Sequence, residues 1–211
     1  MDILYQDKRI LVAVKPAGVL STDEAGGMPS LLRRALGDDK ACVRTVHRLD
    51  AAVSGVMVFA RSAKAASLLS EQIRTRQFEK EYLAVVHGMP EDEGTLCDLL
   101  GRDTVRRMTY VAHAPGKDVR EASLSYRVLA HCEGYSLVSI RLHTGRTHQI
   151  RVQFASRGWP MAGDRKYGVE DGFDNIALWS HRLAFTHPES GEAVEFSALP
   201  PHDGAWALFD L

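Results

Sequence analysis

Apolar residues in this chain come in short blocks, and the spacing inside each block separates strands from helices. Ile10 to Val14 is continuously apolar and is stopped by Lys15-Pro16-Ala17-Gly18, which predicts a buried strand running into a turn. Gly55 to Ala60 predicts a second buried strand. Pro29 to Leu36 fits a short helix closed by Gly37. Ser62 is placed to cap a helix running to Arg74, with Leu68, Leu69 and Ile73 on its apolar face. Glu81 to Val86 is strand-like, and Met108 to Ala112 has the pattern of a strand that pairs with a neighbour. Leu124 to Leu129 and Tyr135 to Leu142 predict a hairpin over Glu133-Gly134. A turn at Thr144-Gly145 leads into a helix from Thr147 to Ser156, ended by Gly158. A last hairpin joins Leu183 to Phe185 with Ala193 to Phe196. Strands outnumber helices and are mostly joined by hairpins. The pattern therefore predicts an α+β fold, a mixed, largely antiparallel sheet with flanking helices.

Length and composition narrow the class. At 211 residues and 45% hydrophobic content the chain reads as one domain over 1–211, or one domain with two lobes, and no repeat or linker marks a boundary. The longest apolar runs are about five residues, too short to span a membrane. No basic stretch followed by a long apolar run opens the chain, so a secretory leader is not expected. Cys42, Cys97 and Cys132 lie far apart and outside any CxxC, as in a reduced cytoplasmic protein, with a monomer as the expected state. Phosphate-loop, dinucleotide-binding, HExxH and GxSxG patterns are all missing. Histidine pairs such as His143 with His148, or His181 with His187, lack a matching Cys or carboxylate cluster, so no metal is expected.

Charge changes the picture by its distribution. The net value is −1, yet Arg141 to Lys166 carries six Lys/Arg against one acid, Asp164, and Val169 to Leu211 carries one basic residue against eight acids. Residues 33–48 and 102–120 each carry five basic and two acidic side chains. Such polarity fits either ordinary solvated faces or a basic cleft on a near-neutral chain. Two segments are unusually dense in polar groups: 46–55, containing His47-Arg48-Leu49-Asp50 before a buried strand, and 142–154, containing Arg146, His148 and Arg151. A helix through the second segment would make His148 and Arg151 i,i+3 neighbours, with Arg151 at the edge of the packed face and able to reach a buried carboxylate. From the residues alone, Asp50 and Arg151 fit a structural ion pair as well as a catalytic one.

The blocks taken together resemble the RluA family of pseudouridine synthases. The resemblance rests on His47-Arg-Leu-Asp50 with Ser54-Gly55, Lys15-Pro-Ala-Gly18, Lys80-Glu-Tyr-Leu-Ala84, Thr144-Gly-Arg-Thr-His-Gln-Ile-Arg151, Gly163-Asp164 with Tyr167-Gly168, and His187-Pro188. It covers nearly the whole chain and implies a pseudouridine synthase fold with a central catalytic cleft. The implied reaction uses no cofactor: the N-glycosidic bond of a uridine in RNA is broken, the uracil turned, and a bond made at C5. By this resemblance Asp50 is the catalytic aspartate, as nucleophile or as base. Tyr82 is the tyrosine that packs on the uracil and removes the C5 proton, and Arg151 is the arginine paired with Asp50. Arg48 would fill the space of the flipped nucleotide. His47, Arg146, His148, Arg165 and Lys166 are the further candidate RNA contacts, with Arg165 and Lys166 meeting phosphate rather than bases.

The implied partner is a ribosomal RNA loop, a transfer RNA stem-loop, or both. Val14, Val53 and Gln153 depart from the commonest family residues, and the chain opens in the catalytic block without an S4-type RNA-binding domain. A contact of Asp50 with Arg151 within ~4 Å is expected. Two other readings stand beside this one. The first is an RNA-binding module without catalysis. The second is a glycoside hydrolase, which would need a second carboxylate that these blocks do not supply.

Overall fold

The computed structural model describes residues 2–211. In chain order the elements are β1 (Ile3–Gln6), β2 (Ile10–Lys15), α1 (Met28–Leu36), β3 (Arg44–Thr45), β4 (Ser54–Ala60), α2 (Ala63–Arg74) and β5 (Glu79–His87). They continue with β6 (Glu93–Asp103), β7 (Met108–Ala112), β8 (Arg120–Cys132), β9 (Tyr135–Leu142), α3 (Gln149–Ala155), β10 (Leu178–Thr186), β11 (Ala193–Ser197) and a 3-10 turn at Gly204–Leu208. The fold is α+β, with a mixed and largely antiparallel strand pattern. Two compact units share the chain: Met1–Lys80 with Trp179–Pro200, and Glu81–Leu178 with Pro201–Leu211. No helix among the described residues is long and apolar enough to cross a membrane.

In the first unit, β2 pairs antiparallel with β1 on one side and with β4 on the other. β4 then runs parallel to β10, which forms the closing hairpin with β11. Side chains alternate across a strand, so Ile10, Val12, Val56, Val58 and Ala60 share one face and pack with Ala65, Leu69, Phe78, Leu183 and Phe185. The Phe78 and Phe185 rings stack 5.0 Å apart. Ser62 caps α2 by accepting the Ala65 backbone N–H at 3.1 Å. Leu68, expected on the buried face, is 40% exposed, because it sits 100° around the helix from Leu69, which is fully buried.

β4 begins with a close approach. Gly55 has φ +119°, and a Cβ there would lie 2.5 Å from the backbone nitrogen of Ser180 in β10. Only glycine lets the parallel pair form at this spacing. Ser180 then donates its hydroxyl to the Val56 carbonyl at 2.9 Å.

In the second unit the strand order is β5-β9-β8-β6-β7, all antiparallel. Residues 160–162 and 177 meet β5, with the Ala162 N–H donating to the Val85 carbonyl and the Val85 N–H donating to the Ala177 carbonyl. Strand β6 has no counterpart among the elements that the apolar pattern predicts. Its exposed and buried positions do not alternate cleanly, and its Glu, Gly and Asp residues imitate a loop. Helix α3 is also shorter than expected and starts two residues later. Gln149 to Phe154 are all buried, so the helix has no polar stripe from which an amphipathic period could be read.

Candidate active site

Asp50 lies in the loop between β3 and β4, and the backbone around it is tied down from several sides within the first unit. Ser21 donates its hydroxyl to the Leu49 carbonyl at 2.7 Å and accepts the Leu49 N–H at 3.0 Å. The Ala51 carbonyl accepts the Gly18 N–H at 2.8 Å and Lys15 Nζ at 2.9 Å, and Lys15 also donates to the Pro16 carbonyl. Val53 closes a turn by donating its N–H to the Asp50 carbonyl. Lys15 is fully buried. Burial pushes its ammonium down from 10.5 to about 8, and the Asp50 charge opposes that shift. The Lys15-Pro-Ala-Gly18 turn thus serves as the mount of the Asp50 loop.

His47, a candidate RNA contact from the sequence, is 7% exposed, and its Nε2 accepts the Val58 N–H at 3.1 Å. Its ring lies 5.7 Å from that of Phe78. Burial first, and then the Lys80 charge, lower its pKa from 6.5 to about 3, so the imidazole is neutral. His47 supports β4 and offers no cation to phosphate. Arg48, one residue on, is exposed.

In the second unit Tyr82 sits in β5 opposite Ile140 of β9 and is 6% exposed. Arg151 is not at the edge of a packed face, as its helix position implied. It is 6% exposed and donates Nε and Nη2 to Asp164 at 2.8 and 2.6 Å. Burial alone would raise the Asp164 carboxyl. The Arg151 guanidinium and the Lys166 and Tyr167 N–H groups instead hold it below the usual carboxylate range. Its turn depends on Gly163 at φ +71°, where a Cβ would strike the Asn175 carbonyl. The Tyr167 ring lies 5.1 Å from the Arg151 guanidinium.

His148 is not on the helix with Arg151. It takes a left-handed conformation, φ 53°, before the first turn, and its Nδ1 is 2.7 Å from the Tyr167 hydroxyl. The preceding loop is knitted by Gln149, whose Oε1 accepts from Thr144 Oγ1 at 2.8 Å and from the Arg146 N–H at 3.0 Å. Arg146 is exposed, with Nε donating to the Glu121 carbonyl. Arg165 and Lys166 are exposed too. Arg165 lies 3.5 Å from Asp174, and Lys166 donates to the Arg107 carbonyl at 2.6 Å. Lys166 thereby joins two of the basic segments, 102–120 and 141–166, by its bond to the Arg107 backbone.

Asp164, Tyr167 and Lys15 stand in the family-like blocks, yet the sequence assigns them no role. The signal available is the lone acid in the basic 141–166 stretch, since a carboxylate kept among cations there has a partner to satisfy. Among the described residues no three His, Cys, Asp or Glu side chains are grouped to hold a metal ion.

Comparisons with known proteins agree with one another. A family model described as RNA pseudouridylate synthase matches residues 9–156. An RNA pseudouridine synthase of Bacillus subtilis is 36% identical over 223 residues, covering 100% of this chain and 73% of the relative. Ribosomal large subunit pseudouridine synthase D of Xanthomonas campestris pv. campestris is 36% identical, over 96% of this chain and 67% of its own. Among solved structures, human RNA pseudouridylate synthase domain containing 1 superposes with a TM-score of 0.83 at 25% identity, covering 97% of this chain and 85% of that one.

Proposed function

A member of the RluA family of RNA pseudouridine synthases, the chain is an isomerase of uridine in RNA, and we propose that it acts on ribosomal RNA with Asp50 as catalytic carboxylate and no cofactor. The observation that carries the assignment of Asp50 is its mount. The carbonyl of the next residue, Ala51, is held by a fully buried lysine and by the Gly18 N–H. A carboxylate on a loop anchored in this way needs little rearrangement to meet a substrate, and positioning is where much of a catalyst's advantage lies. The choice of ribosomal RNA follows the name of the Xanthomonas relative.

The chemistry then divides among the proposed residues. Asp50, as nucleophile or base, acts while the bond from the ribose to N1 breaks. The uracil turns so that C5 faces the sugar, a carbon–carbon bond forms, the C5 proton leaves, and N1, freed from the ribose, takes up a proton. Tyr82 is the aromatic partner of the uracil and the acceptor of that proton, directly or through water. Arg151 is the cation proposed as partner of the catalytic carboxylate. A uridine in a folded RNA is extruded at a cost of a few kcal/mol, which stacking on an aromatic ring offsets in part, with Arg48 taking the vacated space.

Asp50→Asn keeps the shape and removes the charge. Its expected effect is complete loss of tritium release from C5-labelled RNA extracted from cells lacking the protein, with RNA affinity retained. Release at the wild-type rate would remove Asp50 from the chemistry. Mapping pseudouridines in ribosomal and transfer RNA of cells with and without the gene tests the substrate. Sites that disappear only from transfer RNA would overturn the ribosomal assignment.

A further inference from the structure

Arg151 is held in a three-sided seat within the second unit. Asp164 takes Nε and Nη2 side-on at 2.8 and 2.6 Å, which fixes the fork in its own plane. The guanidinium carbon lies over the Tyr167 ring, 5.1 Å from its centroid, so the ring packs against the group that Asp164 holds. The third side is the network that holds Tyr167 itself. Its hydroxyl accepts the Thr109 N–H at 2.7 Å and meets His148 Nδ1 at 2.7 Å. The Tyr167 oxygen is thereby tied to β7 through the Thr109 N–H and to the loop before α3 through the His148 ring. Thr109 is anchored in turn, its hydroxyl donating to the Thr147 carbonyl at 2.9 Å. His148 holds its left-handed backbone against a cost that the surrounding contacts must offset, and Tyr167 is one of them.

These contacts do more than bury an ion pair. A guanidinium has five N–H donors, more than one carboxylate can accept. Its orientation therefore decides where the remaining donors point. We propose that Tyr167 is a positioning residue for the isomerisation: its ring sets the plane of Arg151, while its hydroxyl joins that plane to His148 and to strand β7. The inference rests on Arg151 as partner of the catalytic carboxylate.

The test compares Tyr167→Phe, Tyr167→Leu and Tyr167→Met by tritium release from C5-labelled RNA of cells lacking the protein, with Arg151→Ala in parallel. Phenylalanine keeps the ring over the guanidinium, so its kcat should stay within about threefold of wild type. Leucine and methionine remove the π face, so kcat should fall about ten- to thirtyfold, the scale of a desolvated cation–π contact. KM for RNA should be unchanged in all three. Methionine fills most of the ring's volume, so it remains informative if the leucine variant melts early. Equal losses in Phe, Leu and Met would assign the effect to the hydroxyl and overturn the ring's role. An inactive Arg151→Ala beside fully active Leu and Met variants would overturn the positioning inference alone. A fully active Arg151→Ala would overturn the role of Arg151, and the inference with it.

Discussion

Lys15 Nζ donates at 2.9 Å to the carbonyl of Ala51, the residue that follows Asp50, and the two lie 36 positions apart in the chain. A fully buried lysine is an expensive anchor. Its bonds to the Pro16 and Ala51 carbonyls offset part of that burial cost.

That expense makes stability depend on pH in a defined direction. The Lys15 ammonium titrates at about 8 in the folded protein, against 10.5 for a free lysine. Below about 8 both states bind the proton. Between the two values the unfolded chain keeps it and the native state releases it, so stability rises with pH through that window. The rise from this group is about 3 kcal/mol at most. Lys15→Met should lack it in denaturant titrations run across the same range. The variant should also lose about tenfold in kcat, as the Asp50 loop loosens.

His47 gives the acid side. Its folded pKa, about 3, lies below the ordinary 6.5, so between these values the unfolded chain binds a proton that the native state refuses. Native stability therefore falls as pH falls, by about 1.4 kcal/mol per pH unit from this one group. His47→Gln, whose amide oxygen can accept the Val58 N–H, should unfold less steeply in acid by about one proton. Urea unfolding at several acidic pH values measures this. An unchanged slope would mean that the imidazole is charged in the folded state.

Gly55→Ala should be severely destabilising. The added methyl meets the Ser180 backbone rather than a movable side chain, and the position also has a positive φ. A loss of about 3 kcal/mol or more is expected, read as a drop in unfolding midpoint. Gly134→Ala, in an open turn with nothing within 4 Å of the added atom, shares the positive φ without the collision and should cost less.

Arg165 and Lys166 are exposed, and each already has a local partner, Asp174 for the first and the Arg107 carbonyl for the second. RNA affinity should still fall steeply with salt, and the double alanine variant should flatten the slope of log affinity against log salt by about 0.7 to 0.9 for each phosphate it no longer neutralises. The modified uridine should stay the same. An identical slope in variant and wild type would take both residues out of the interface.

Local spacing is sufficient for much of this molecule. The α+β class, the span of α1, the serine cap of α2, the buried strands β2 and β4 and the hairpin of β8 with β9 are all legible, because each depends on a period or a turn written within a few residues. The blocks holding Asp50, Tyr82 and Arg151 are legible as well, since their residue types cluster along the chain. Contacts between distant segments decide the rest. β6 is a strand because β7 and β8 flank it, not because its residues alternate. α3 is buried on every side, which erases the stripe that marks a surface helix. His47 becomes a core acceptor because Val58 folds over it. Arg151 is seated by Asp164 and Tyr167, 13 and 16 residues downstream, beyond any helical repeat. Charge and hydrogen-bonding capacity belong to a residue type, whereas the partner that satisfies them is chosen only when the chain closes on itself.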